Sequence, residues 1–180
     1  MRILTIPVLL SFTFLNPAPA AVVYSESSNG PLSSSGTAPT QIPLNLGANS
    51  IVSTFGGSTQ FDYFSFTLAT GQSLTSFRLD SYVSADAIAW LGIKRGSDWT
   101  INYDTNQMLA QQHFGTANIG SDILGISASS PLVAGTYTVR SQQLGATANY
   151  QVTLNVIPEP SSLSLILLSL GAFSLRRHRH

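Results

Sequence analysis

Cysteine is absent from the 180-residue chain. No disulfide can staple the fold, and thiolate nucleophiles and thiolate metal sites are excluded. Charge is scarce too: 9% of residues are charged and the formal net charge is zero. A broad basic field of the kind that holds nucleic acid is therefore excluded. Between residues 21 and 157 there is a single histidine, His113, and a single glutamate, Glu26. Acid–base catalysis needs titratable groups that can be tuned, and few are on offer. The nucleophile elbow G-x-S-x-G, the phosphate-binding glycine loops and internal repeats are all missing.

What is abundant lies first at the two ends. Residues 1–20, MRILTIPVLLSFTFLNPAPA, begin with a basic residue, Arg2, followed by an apolar run. Ala18-Pro19-Ala20 is a small-x-small cleavage site, so signal peptidase is expected to cut after Ala20. Pro7, Pro17 and Pro19 oppose the alternative of a buried helix. At the other end, Pro158, Glu159 and Pro160 precede an apolar run over residues 163–175, and Arg176, Arg177 and Arg179 close the chain. At 1.5 Å per residue that run spans roughly 20 Å as a helix. A bilayer core is about 30 Å thick, so insertion requires local thinning or snorkelling arginines. The terminal arginines would lie on the cytoplasmic side.

The order of these parts, Pro158-Glu159-Pro160, then an apolar helix, then a basic end, resembles the PEP-CTERM sorting signal of exopolysaccharide-producing Gram-negative bacteria. The resemblance covers residues 157–180; His178 and His180 interrupt and end the basic cluster. It implies recognition by an exosortase, transient anchoring in the inner membrane, and delivery to the cell surface or into an exopolysaccharide matrix.

The middle of the chain carries four bases and seven acids, a net charge of −3 over residues 21–157. Residues 25–40, rich in Ser, Gly and Pro, predict a flexible lead-in over 21–40. Beyond it the apolar period is two. Phe64, Phe66 and Leu68 alternate with Tyr63, Ser65 and Thr67, and Tyr150, Val152, Leu154 and Val156 alternate with Gln151, Thr153 and Asn155. Further strands are predicted at 41–46, 50–55, 74–79, 88–93, 99–103 and 136–140. A short helix is predicted only within 105–113. Eight or nine short strands separated by turns predict an all-β, antiparallel, jelly-roll-like β-sandwich over 41–157.

Two stretches, Asp62-Tyr63-Phe64-Ser65-Phe66-Thr67-Leu68 with Thr70-Gly71-Gln72, and Ala134-Gly135-Thr136-Tyr137-Thr138-Val139 with Asn149-Tyr150-Gln151-Val152-Thr153-Leu154, resemble the bacterial pre-peptidase C-terminal domain. The resemblance implies a non-catalytic accessory domain for secretion, adhesion or substrate proximity. Where many members carry an acidic turn, this chain has Asn102-Tyr103-Asp104-Thr105-Asn106, with one carboxylate.

Three constellations are candidates for binding or chemistry. Asn102, Asp104 and Asn106 have calcium-like spacing, but Gln107 and His113 stand where an EF-hand needs Gly and Glu. A looser calcium site would draw on Asp98 or Asp62. The aspartates at strand ends are expected to bond to their own turns rather than to form a hydrolase pair. Trp99, beside Asp98 and Thr100, and Tyr103 are the candidate ligand contacts, with Trp90 assigned to the core. The expectation is an exported, non-enzymatic surface or matrix protein without a cofactor or a metal site. Its partners would be signal peptidase, an exosortase, the membrane through its C-terminal helix, and exopolysaccharide. The competing expectations are a carbohydrate- or calcium-dependent adhesion module and, less favoured, the accessory domain of a secreted hydrolase.

Overall fold

The computed structural model describes residues 19–56, 61–101, 104–126 and 130–159. The fold is all-β, built from two facing sheets like a β-sandwich. One sheet has the order β1 (Ala21–Ser25), β3 (Gly47–Phe55), β9 (Ala148–Pro158), β5 (Gln72–Ser84). The other has the order β2 (Thr40–Gln41), β4 (Phe61–Leu68), β8 (Gly135–Gln142), β6 (Ile88–Arg95), β7 (Ala110–Gly115). The sheets are mixed rather than purely antiparallel, because β1 runs parallel to β3 and β2 parallel to β4. Both parallel partners come from the N-terminal segment, which lays one short strand on each sheet.

The core between the sheets follows from period two. Phe64, Phe66 and Leu68 of β4 and Tyr137 and Val139 of β8 face Phe77 and Leu79 of β5 and Val152, Leu154 and Val156 of β9. Phe64 meets Phe77 across the gap with ring centroids 6.5 Å apart, and Phe55 meets Phe114 at 6.2 Å. Strand β5 departs from strict alternation at two bulges, between Leu74 and Ser76 and between Leu79 and Ser81. Each extra residue resets the phase, so Leu74, Phe77, Leu79 and Tyr82 all point inward.

Several expectations change. The segment 21–40 is not a free lead-in: it contains β1 and the short helix α1 (Glu26–Asn29), and it buries Tyr24 and Leu32. Polar composition concealed this because the ordering comes from backbone pairing, as where Tyr63 N–H donates to Ser33 O at 2.8 Å. The helix predicted within 105–113 is a 3-10 turn at Thr105–Gln107 followed by β7. Its Gln-Gln-His polarity suits an edge strand exposed on one side. The strand predicted over 99–103 is irregular at 99–101, and 102–103 lie outside the described residues. The two strands predicted at 41–46 and 50–55 are the short β2 and the longer β3.

Candidate functional site

The outer face of the five-stranded sheet is the first place where the residues do something a plain sandwich does not need. Register aligns two rows across four strands. One row is Phe61, Gln142, Trp90, His113; the next is Tyr63, Arg140, Gly92, Gln111. Gly92 leaves a gap in the second row, and the Trp90 indole fills it. A Cβ on Gly92 would stand 2.5 Å from the ring. From there Trp90 Nε1 donates to Gln111 Oε1 at 3.2 Å.

Arg140 is 5% exposed and its charge is enclosed by rings. The guanidinium carbon lies 4.4 Å from the Phe61 centroid, 5.6 Å from Trp90 and 5.9 Å from Tyr63. Its Nη2 donates to Gln142 Oε1 at 2.8 Å. Desolvated cation–π contacts of this kind contribute about 1–2 kcal/mol. Tyr63, Trp90, Trp99 and Ile101 form a second buried cluster, with Phe61 and Met108 at its margin.

Trp99 is therefore not a surface contact. It is 4% exposed, edge-on to Trp90 at 6.3 Å, and its backbone N–H donates to Gly36 O at 2.6 Å. The N-terminal segment crosses over it, and only glycine fits at 36, where a Cβ would meet Trp99 O at 2.4 Å. Tyr103 lies outside the described residues. Trp90 is buried as expected, but in this outer cluster and not between the sheets.

Beside the arginine cage runs a groove. One cleft of about 560 Å³ is lined by Trp90, Gln111, His113, Gln142, Asp86 and Leu144, among others. A second, of about 310 Å³, shares Trp90, Gln111 and His113 and adds Gln112. A third, of about 290 Å³, continues past Ile88 and His113 to the turn after β7. Shared walls make these one elongated groove along β6 and the edge strand β7. Ile88 and Leu144 are exposed at its margin.

A second unusual place lies between the sheets. Asp62 occupies the inward phase of Phe64 and Phe66 and pairs with Ser141; across the gap Ser53 pairs with Tyr150. All four are at most 3% exposed. Asp62 Oδ2, Ser141 Oγ and Tyr150 OH have no hydrogen-bond partner among the described residues. The Ser53 and Ser141 hydroxyls lie beside the Tyr150 phenol without the geometry of a hydrogen bond. Glu26 closes this end of the core, its Oε2 accepting from Thr54 N–H at 2.6 Å and from Ser53 Oγ at 3.3 Å. Burial, then the Glu26 charge, pushes the Asp62 carboxyl up to about 7. Burial, then the charge of Asp62, holds the Tyr150 phenol well above its ordinary range. Asp62 thus favours its neutral form in the folded protein.

The remaining aspartates are occupied locally. Asp122 accepts from the N–H groups of Phe77, Leu124 and Ile126. Asp104 accepts from Gln107 Nε2 and Asn106 N–H, which lower its pKa. Asp98 accepts from Lys94 Nζ at 3.1 Å, and Asp86 from Ile88 N–H. Asp80 accepts from Arg78 Nε and Thr153 Oγ1.

At the ends, Ala20 directly precedes β1, and β9 runs through Pro158. Glu159 N–H donates to Gly71 O at 2.8 Å. Ala18, Pro160, Arg176, Arg177 and Arg179 lie outside the described residues, as does the predicted C-terminal helix. Among the described residues no helix is long and apolar enough to cross a membrane. No protein-family model and no curated protein matches the chain.

Sequence reasoning passed over Arg140, and it offered Asp62 only as a calcium ligand, whereas the structure buries it between the sheets. Both signals were present in the alternation. Asp62 shares the phase of Phe64 and Phe66, and Arg140 sits opposite Tyr63 once β4 and β8 are paired.

Proposed function

We propose that the protein is exported, sorted by an exosortase through its Pro158-Glu159-Pro160 tail, and displayed at the cell surface or released into an exopolysaccharide matrix. Its jelly-roll-like sandwich acts there as a non-catalytic accessory domain of the pre-peptidase C-terminal kind. The observation that supports this reading is where the first and last described strands begin and end. Strand β1 begins at Ala21, the residue that follows the expected signal-peptidase cut, and β9 ends at Pro158, the first residue of the sorting motif. A cut after Ala20 and one beyond Pro160 would leave both strands whole. His113 is exposed on the edge strand and paired in register with Trp90; among the described residues its cleft holds one carboxylate, Asp86, and no serine, a lining suited to binding.

The test is Glu159→Ala in a host that carries an exosortase. Among the described residues the Glu159 side chain makes no hydrogen bond or ion pair, and the bond to Gly71 is made by the backbone. The wild-type protein is expected to leave the membrane fraction and the variant to accumulate in it with unchanged circular dichroism. Equal distribution of the two forms would refute the sorting role of the motif.

A further inference from the structure

Beyond the sorting of the chain, the groove along β6 and β7 has a chemistry of its own. Its hydrogen-bonding groups are mostly side-chain amides and an imidazole. Gln111 is pre-oriented: its Oε1 is held by the Trp90 indole, which leaves the Nε2 hydrogens for a ligand. Gln112 and His113 are exposed and make no side-chain hydrogen bond among the described residues. Asp86 contributes the one formal charge in the lining, and its Oδ1 already accepts from Ile88 N–H. Among the described residues no lysine or arginine lines the groove, so they offer an anionic ligand no counter-charge. The apolar margin is Ile88, 57% exposed, and Leu144, 61% exposed.

We propose that this groove binds a neutral polyhydroxylated chain, an uncharged polysaccharide. Each sugar hydroxyl is both donor and acceptor, which amide and imidazole groups match. The C–H faces of the ring match the apolar margin, and the elongated shape suits several linked units. An extended peptide is less well served. It would pair with the open outer edge of β7, away from the side chains that line the groove.

The test is affinity electrophoresis of the purified full-length protein in gels holding dextran, laminarin, xylan or galactomannan, with alginate and an extended Thr-Val peptide as comparisons. The variants are Gln111→Leu, His113→Ala and, as a control away from the groove, Thr67→Ala. At least one neutral polysaccharide is expected to retard the wild type and Thr67→Ala equally. Its affinity is expected to fall about tenfold in Gln111→Leu, the loss of one ligand hydrogen bond, and in His113→Ala, which leaves the melting temperature unchanged; Gln111→Leu also lowers the melting temperature slightly, because it removes the bond from Trp90 Nε1. Retardation by none of the neutral polymers would overturn the proposal, as would retardation by alginate or the peptide alone, or retardation that Gln111→Leu and His113→Ala leave intact. The measurement uses purified protein, so its failure would leave the sorting reading untouched, and the reverse holds.

Discussion

On its inner face β8 carries Tyr137, Val139 and Ser141; on its outer face it carries Thr138, Arg140 and Gln142. The inner face is covered by a whole second sheet. Its apolar rings need no orientation beyond packing, and its one acid, Asp62, is forced towards neutrality. Among the described residues the outer face is covered by single segments, the N-terminal one, the 99–101 stretch and Met108, and it buries a permanent cation against Phe61, Tyr63, Trp90 and Gln142. The comparison teaches that burial acts on the two charges differently. A carboxylate can shed its charge by taking a proton, whereas a guanidinium cannot, and here rings and a side-chain amide surround it.

The largest break of this contrast is in the inner core. Phe64→Ala removes a fully buried ring stacked on Phe77 and is expected to cost about 3–5 kcal/mol in urea unfolding. Next comes the acid. The folded pKa of Asp62, about 7, lies above its unfolded value, so folding favours the protonated form. The contribution is full at pH below the unfolded pKa, near 4, and is lost as pH rises to 7, by about 2–4 kcal/mol. Asp62→Asn should flatten that slope in urea titrations at successive pH values. Glu26→Gln should move its upper limit to lower pH.

On the outer face, Arg140→Ala is expected to cost about 2 kcal/mol, and Arg140→Lys should recover little, since a compact ammonium cannot face three rings and reach Gln142. Urea midpoints for the pair decide this; full recovery by lysine would show that charge alone matters there. The smallest effect is Asp98→Asn. The carboxylate is exposed and Lys94 Nζ keeps its bond to Asp98 O, so a loss of at most about 0.5 kcal/mol is expected.

The alternation in 62–68 and 150–156 was enough to foretell β4 and β9, because a half-buried strand writes its period into the residues. β7 was harder to read. As an edge strand with exposed Gln111, Gln112 and His113, it has an apolar signal only at Phe114. Segment 21–40 was misjudged because much of its order comes from backbone pairing, through β1, β2 and the bonds at Tyr63 and Trp99, and its two deeply buried side chains with the core, Tyr24 and Leu32, make no period in the sequence. The same cause moved the binding candidate. Trp99 looked exposed from its polar neighbours, yet a distant glycine, Gly36, lets the chain close over it. The groove at Gln111 needed the pairing of β6 with β7 before its residues came together.

The most direct test of the central claim is the intact mass of the protein from the cells that make it, with membrane, cell and medium fractions kept apart. The account predicts a mass lacking residues 1–20 and most of 161–180, found outside the membrane fraction. A mass that retains the C-terminal residues, confined to the membrane fraction, would contradict it.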